Sequence, residues 1–156
     1  MSWLAQIAWA LGMWICGSCV MSMFGSQVRI TYKCAKKILA RFIKIEDIDN
    51  YCDFAACGKY LNGVIIKNVV IVTAISAVIL LLIPSIGITF YFIGMLLSWI
   101  MSIGATGITQ QNVEETTAIF LRFTKPENVA AMTDFVPIIA QQIQNEKEFA
   151  AMLKKK

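Results

Sequence analysis

Histidine is absent from the 156 residues, and with it the commonest metal ligand and the commonest general acid or base near neutral pH. Ser-His-Asp hydrolysis, histidine zinc sites and histidine haem ligation are thereby excluded. Charge is scarce as well: only 15% of residues are Asp, Glu, Lys or Arg, against roughly a quarter in ordinary soluble domains. The scarcity is uneven. No basic residue precedes Arg29, no charge lies between Trp3 and Phe24, and none lies in the 46 residues from Asn68 to Val113. Proline is nearly missing, and the only one in that run stands in Ile83-Pro84-Ser85-Ile86-Gly87.

What remains is apolar, 58% of the chain. A bilayer core needs about 20 consecutive apolar residues per helical span. The uncharged run therefore reads as a transmembrane hairpin: a span over Val64–Ile83, with Lys67 snorkelling to an interface, a tight turn at Pro84, and a returning span over Ile86–Ile103. Trp3–Phe24 reads as the first span. It has no basic leader, and it stays apolar after Gly17-Ser18-Cys19, so a retained helix is expected rather than a cleaved signal peptide.

The basic residues orient these spans. Arg29, Lys33, Lys36, Lys37, Arg41 and Lys44 follow the first span closely, and Arg122, Lys125 and Lys154–Lys156 follow the third. Lys and Arg near span ends mark the cytoplasmic side. The N-terminus is then outside and the C-terminus cytoplasmic, in a plasma membrane or bacterial inner membrane.

Four regions follow: a first transmembrane helix over 1–25, a cytoplasmic amphipathic segment over 26–63, the hairpin over 64–104, and a cytoplasmic helical tail over 105–156. In the second region Val28, Tyr32, Ala35, Leu39 and Phe42 form a helical stripe, widened by Ile38, Ile43 and Ile45. Arg29, Lys33, Lys36, Lys37 and Lys44 collect on the opposite face. A basic amphipathic helix of this kind suits the headgroup region of anionic lipid. Its stripe, spaced alternately by four and three residues, also suits docking to another helix. In the tail, Thr124-Lys125-Pro126-Glu127 has the pattern of a helix start with a capping box. Asp134 and Pro137 mark a kink or a second start. With few large apolar residues of its own, the tail is expected to pack on the middle segment or on a partner.

Small residues recur four apart at Ala8 and Gly12, at Ser18 and Ser22, and at Gly94, Ser98 and Ser102. In lipid, helices approach closely where side chains are small. Packing of the first span against the third is the expectation, with a homo-oligomer through the same face as the alternative.

Groups that carry chemistry are few. Cys16-Gly17-Ser18-Cys19 has the spacing of a thiol-exchange pair, but it lies inside a span with no charge to lower a thiol pKa, and packing is the plainer role. Cys34, Cys52 and Cys57 make the cysteine count odd, unlike a secreted disulfide framework. Glu46, Asp47, Asp49 and Asp53 lack the glycine turn and distal glutamate of a calcium loop. No ionisable residue sits within a span, which counts against a proton or ion path. Thr73, Ser76, Ser98 and Ser102 could line an oligomeric pore, or could bond the helix backbone one turn away.

The expectation is an all-α membrane protein of three transmembrane helices, a basic juxtamembrane helix and a short helical tail. It is non-enzymatic, without cofactor, metal or nucleic acid, and acts through contact in the bilayer with another membrane protein or with itself. An accessory or regulatory subunit fits, as does a plasmid- or phage-type immunity or exclusion protein. A holin-like pore is the alternative, and a thiol oxidoreductase using Cys16 and Cys19 a remote one.

Overall fold

The computed structural model describes residues 2–82, 87–105 and 107–155. Every extended element among them is helical: α1 (Trp3–Met21), a π-helical turn (Ser22–Ser26), α2 (Gln27–Phe42), α3 (Phe54–Leu82), α4 (Ile88–Gly104), α5 (Gln110–Leu121) and α6 (Val129–Lys154). Pro84, where the tight turn is expected, lies outside the described residues. Short 3-10 turns cover Ile48–Asn50 and Pro126–Asn128.

Two helical stretches, Trp3–Phe42 and Phe54–Leu82, are long and apolar enough to cross a membrane. The 17-residue α4 is shorter, about 25 Å at 1.5 Å per residue, against a hydrocarbon core of about 30 Å. The chain divides into two compact units: unit 1 is Met1–Ile30 with Val64–Ala105, and unit 2 is Thr31–Gly63 with Thr106–Lys156.

Unit 1 is organised by close backbone approach. Gly17 lies on the Tyr91 backbone and Gly94 on the Trp14 backbone, with no room at either for a Cβ. The Ser18 hydroxyl donates to the Gly94 carbonyl at 3.2 Å, and the Ser26 hydroxyl to the Ser98 carbonyl at 3.2 Å. From Ser18–Gly94 through Ser26–Ser98 to Arg29–Trp99 the partners advance together, so the N-terminal helical stretch and α4 run parallel. The π turn adjusts the register: Met13, Gly17 and Met21 are four residues apart, and the next inward residue, Ser26, follows after five. A π turn adds one residue to a helical circuit. That extra residue brings Ser26 onto the face an uninterrupted α-helix would have turned away.

Tyr91 is fully buried among Met13, Met95, Val72 and Ile79, and α3 meets it through Ser76, whose hydroxyl lies 2.9 Å from the Tyr91 oxygen. A buried hydroxyl without a partner costs about 1–3 kcal/mol. The pair satisfies itself, because either oxygen can donate.

Unit 2 has an aromatic centre. Phe42 stacks on Phe54 at 5.5 Å between centroids, and Phe120 meets both edge-on at 5.8 and 6.2 Å. Around them lie Ile38, Leu39, Ile48, Leu61, Met132 and Val136, with the buried thiols of Cys34, Cys52 and Cys57 filling gaps. The loop before α3 is tied to the segment after α5 by two backbone bonds, Asp53 N–H to the Phe123 carbonyl at 3.0 Å and Lys125 N–H to the Tyr51 carbonyl at 3.1 Å. The tail thus packs on the middle segment.

Local signals also came out differently from expectation. Thr124 caps no following helix: its hydroxyl donates back to the Phe120 carbonyl at 2.8 Å, closing the end of α5. Pro137 lies inside α6, which begins at Val129 and is not restarted. The N-cap before α5 is Thr109, whose hydroxyl accepts the Asn112 N–H at 3.3 Å.

Candidate functional site

The small-residue face in unit 1 is real but displaced along α1. Gly94 is buried at the α1–α4 contact, and Ser98 contributes its carbonyl to it. Ala8 and Gly12 are exposed, with nothing near the position a Gly12 Cβ would take. Gly17 holds the role expected of Gly12. The reason is rotational: Gly12 is five residues from Gly17, about 140° around the helix, so the two cannot share a face. Gly17 stands between the two cysteines of the thiol-like motif and has no small residue four positions before it, so the small-xxx-small pattern does not mark it.

The polar groups of the spans are occupied locally. Thr73 donates to the Val69 carbonyl at 2.8 Å, Ser102 to the Trp99 carbonyl at 2.6 Å, and Ser76 pairs with Tyr91. Cys16 packs against the Met13, Tyr91 and Met95 cluster while Cys19 faces outward, and both are free thiols. At the end of unit 1 the Arg29 guanidinium lies 4.9 Å from the Trp99 ring centroid, with Nη1 buried and without a hydrogen-bond partner among the described residues. Such a cation over an indole is worth about 0.5–2 kcal/mol, more where water is excluded.

The amphipathic stripe of α2 requires a correction. Leu39 and Phe42, expected at a lipid surface or partner, lie inside unit 2 together with Ala35 and Ile38. Val28 and Tyr32 are only half-buried, whereas Thr31 and Cys34 are buried in their place. The stripe is rotated toward these two residues because the chain's own α5, α6 and the first turns of α3 supply its covering. Thr31 belongs there for a polar reason, its hydroxyl lying 3.0 Å from Asn112 Oδ1 and 2.9 Å from Glu115 Oε2. On the basic face, Lys36 lies 5.5 Å from the Tyr32 ring centroid, Lys33 is half-buried, and Lys37 and Lys44 are exposed.

The acidic patch is partly structural. Asp53 caps α3 by accepting the Ala56 N–H at 3.0 Å, and no group of acidic, cysteine or histidine side chains among the described residues is arranged to hold a metal. Burial pushes the Cys52 thiol above its usual value, with Asp53 adding to the shift and a Thr124 hydrogen bond opposing it. An inert thiol is the consequence.

Apolar side chains are exposed on α3 as well as on two further outward surfaces. In unit 1 a groove of about 380 Å³ runs between α1 and α4, lined by Ile7, Ala10, Leu11, Trp14, Phe90, Ile93 and Leu97. In unit 2 the outer side of α6 exposes Phe135, Ile138, Phe149, Met152 and Leu153. Set against protein-family models, curated proteins and solved structures, the chain matches none.

Proposed function

We propose that the chain is a non-enzymatic, multi-pass membrane protein that acts by contacting another membrane protein inside the bilayer. In this reading α1, α3 and α4 cross a plasma membrane or bacterial inner membrane, with the N-terminus outside and the C-terminal segment in the cytoplasm. Parallel packing of α1 and α4 supports it, since two parallel spans need one returning helix between them, and α3 is long enough. The slightly short α4 is tolerable, because a bilayer thins around a short span at a modest cost per ångström. Roles of this kind include an accessory or regulatory subunit and a plasmid- or phage-type immunity or exclusion protein.

The observation that carries the proposal is the apolar groove between α1 and α4. Gly17, Gly94 and most of the α2 stripe are taken up by the chain's own packing, whereas Ala8 and Gly12 stay exposed on α1. The groove is different: it is concave, wholly apolar in its lining, and flanked by the exposed ring of Trp14. Helix association in lipid depends on van der Waals fit, and a groove between two helices offers it to a third. A photo-crosslinking residue at Leu11 or Ile93, in cells, tests this. A discrete protein adduct from both positions, absent from Val78 on α3, is expected; lipid adducts alone would refute it. The pore reading draws no support from Thr73, Ser76 and Ser102, whose hydroxyls bond within the chain.

A further inference from the structure

The outer side of α6 has a pattern of its own. Phe135, Ile138, Gln142, Asn145, Phe149 and Met152 are spaced 3, 4, 3, 4 and 3 residues apart along one continuous helix. That is the seam spacing of a helix pair. None of the six faces the core of unit 2, which takes Met132, Val136 and Ala140 from the other side of the helix. The four apolar members are 41, 57, 64 and 66% exposed, and the two amides are exposed as well.

We propose that this seam pairs with the same seam of a second copy of the chain, the two helices running antiparallel about a two-fold axis between Gln142 and Asn145. The proposal concerns unit 2 and stands whether or not the unit 1 groove finds a partner. Read from either end, the seam has the same order: two apolar residues, two amides, two apolar residues. Antiparallel pairing sets Phe135 against Met152 of the other copy, Ile138 against Phe149, and Gln142 against Asn145. Carboxamides meeting there can hydrogen-bond each other, and a polar pair inside an apolar seam fixes register. In the parallel arrangement like would meet like, amides included, so the direction is selected by the charges that flank the seam.

The flanking charges agree. Asp134, Gln141, Glu148 and Lys155 occupy one edge of the seam at seven-residue spacing. Antiparallel pairing brings Asp134 opposite Lys155 and Gln141 opposite Glu148, each twice by symmetry. An anionic lipid surface is a poorer occupant, because interfacial helices carry Lys and Arg along their flanks and this edge carries two acids and one base. The large apolar side chains of the face, Leu153 included, expose about 500 Å² per copy at roughly 200 Å² for each full side chain. Two copies then cover about 1,000 Å², the lower bound for a specific interface.

The full-length protein in detergent and in nanodiscs, carrying p-benzoylphenylalanine at Gln142 or at Ile138, tests this pairing. Mass spectrometry is expected to place the adducts near Asn145 and near Phe149 of the other copy. Phe149→Glu, on an exposed turn beyond the core, is expected to weaken dimerisation at least tenfold with helix content unchanged. Asp134→Lys or Lys155→Asp alone is expected to weaken it about fivefold, and the two together to restore it. Three results overturn the proposal: adducts joining like positions, adducts to lipid only, or a monomer at high micromolar concentration with no adduct.

Discussion

Placing a methyl group on Gly17 or Gly94 probes unit 1 where it has least room. A Cβ on Gly17 would fall well inside contact with the Tyr91 carbonyl, and one on Gly94 would meet the Trp14 carbonyl and the Ser18 hydroxyl. The obstacles are mainly backbone atoms, so no side chain can rotate away and the helices must separate. Overpacking of this kind costs about 1–3 kcal/mol, and the Ser18 hydrogen bond to Gly94, worth about 0.6 kcal/mol in a membrane, would go with it. Alanine recovers about 1 kcal/mol of helix propensity. A net loss of about 1–2 kcal/mol is expected at either site. Gly12→Ala is the internal control, since it gains the same propensity with nothing near the new methyl. It should leave stability unchanged or raised, so the two classes should differ by about 2–3 kcal/mol. Reversible unfolding in mixed micelles, followed by the fluorescence of the tryptophans, measures all three. If Gly17→Ala and Gly94→Ala matched Gly12→Ala, the close α1–α4 contact would be wrong.

Further outcomes follow from unit 2. Phe120→Ala removes the ring that meets both Phe42 and Phe54 and is expected to cost about 3–5 kcal/mol, read by loss of protection of the α6 amides in hydrogen exchange. Cys52 is expected to resist alkylation until unit 2 opens. Because its folded pKa is raised, the stability it contributes is complete below the ordinary thiol pKa of 9.0 and declines as pH rises beyond it, while Cys52→Ala flattens that decline. The Arg41 hydrogen bond holds the Glu146 carboxyl below the usual value, against a smaller opposing effect of desolvation. That contribution is present above the ordinary carboxylate pKa and fades as pH falls through the lowered one; an NMR titration should show the Glu146 pKa rising in Arg41→Gln.

Much of the fold could be read because two periodicities are strong. The uncharged runs give the apolar helices, and Arg29 and Lys67, where charge begins and ends, lie close to the unit boundaries at Ile30 and Gly63. The α2 stripe was legible as a stripe, yet its partner was not. An amphipathic face says that something covers it, and the covering proved to be α5, α6 and the start of α3. Helix α5 itself was hidden because Gln110-Gln111-Asn112-Val113-Glu114-Glu115-Thr116-Thr117 is polar and rich in residues of ordinary helix propensity. What holds it is local, the Thr109 cap and the Thr116 and Thr117 hydroxyls bonding back to Asn112 and Val113. Gly12 and Gly17 look alike in sequence. Only the rotation of α1 against α4, which turns Gly17 inward and Gly12 outward, separates them. The apolar groove was not legible either, since it exists between α1 and α4 and belongs to neither helix alone.

Every tryptophan of the chain, Trp3, Trp9, Trp14 and Trp99, lies in unit 1, so the native fluorescence reports on that unit alone. Quenching by lipids brominated along the acyl chain asks directly whether unit 1 lies in hydrocarbon, on which its partner contacts in the bilayer depend. Strong quenching is expected, deepest with bromines at the depth of Trp9 and Trp14 and weaker for a variant that keeps only Trp3. Fluorescence indifferent to bromine at every depth, in protein that stays with the vesicles, would contradict it.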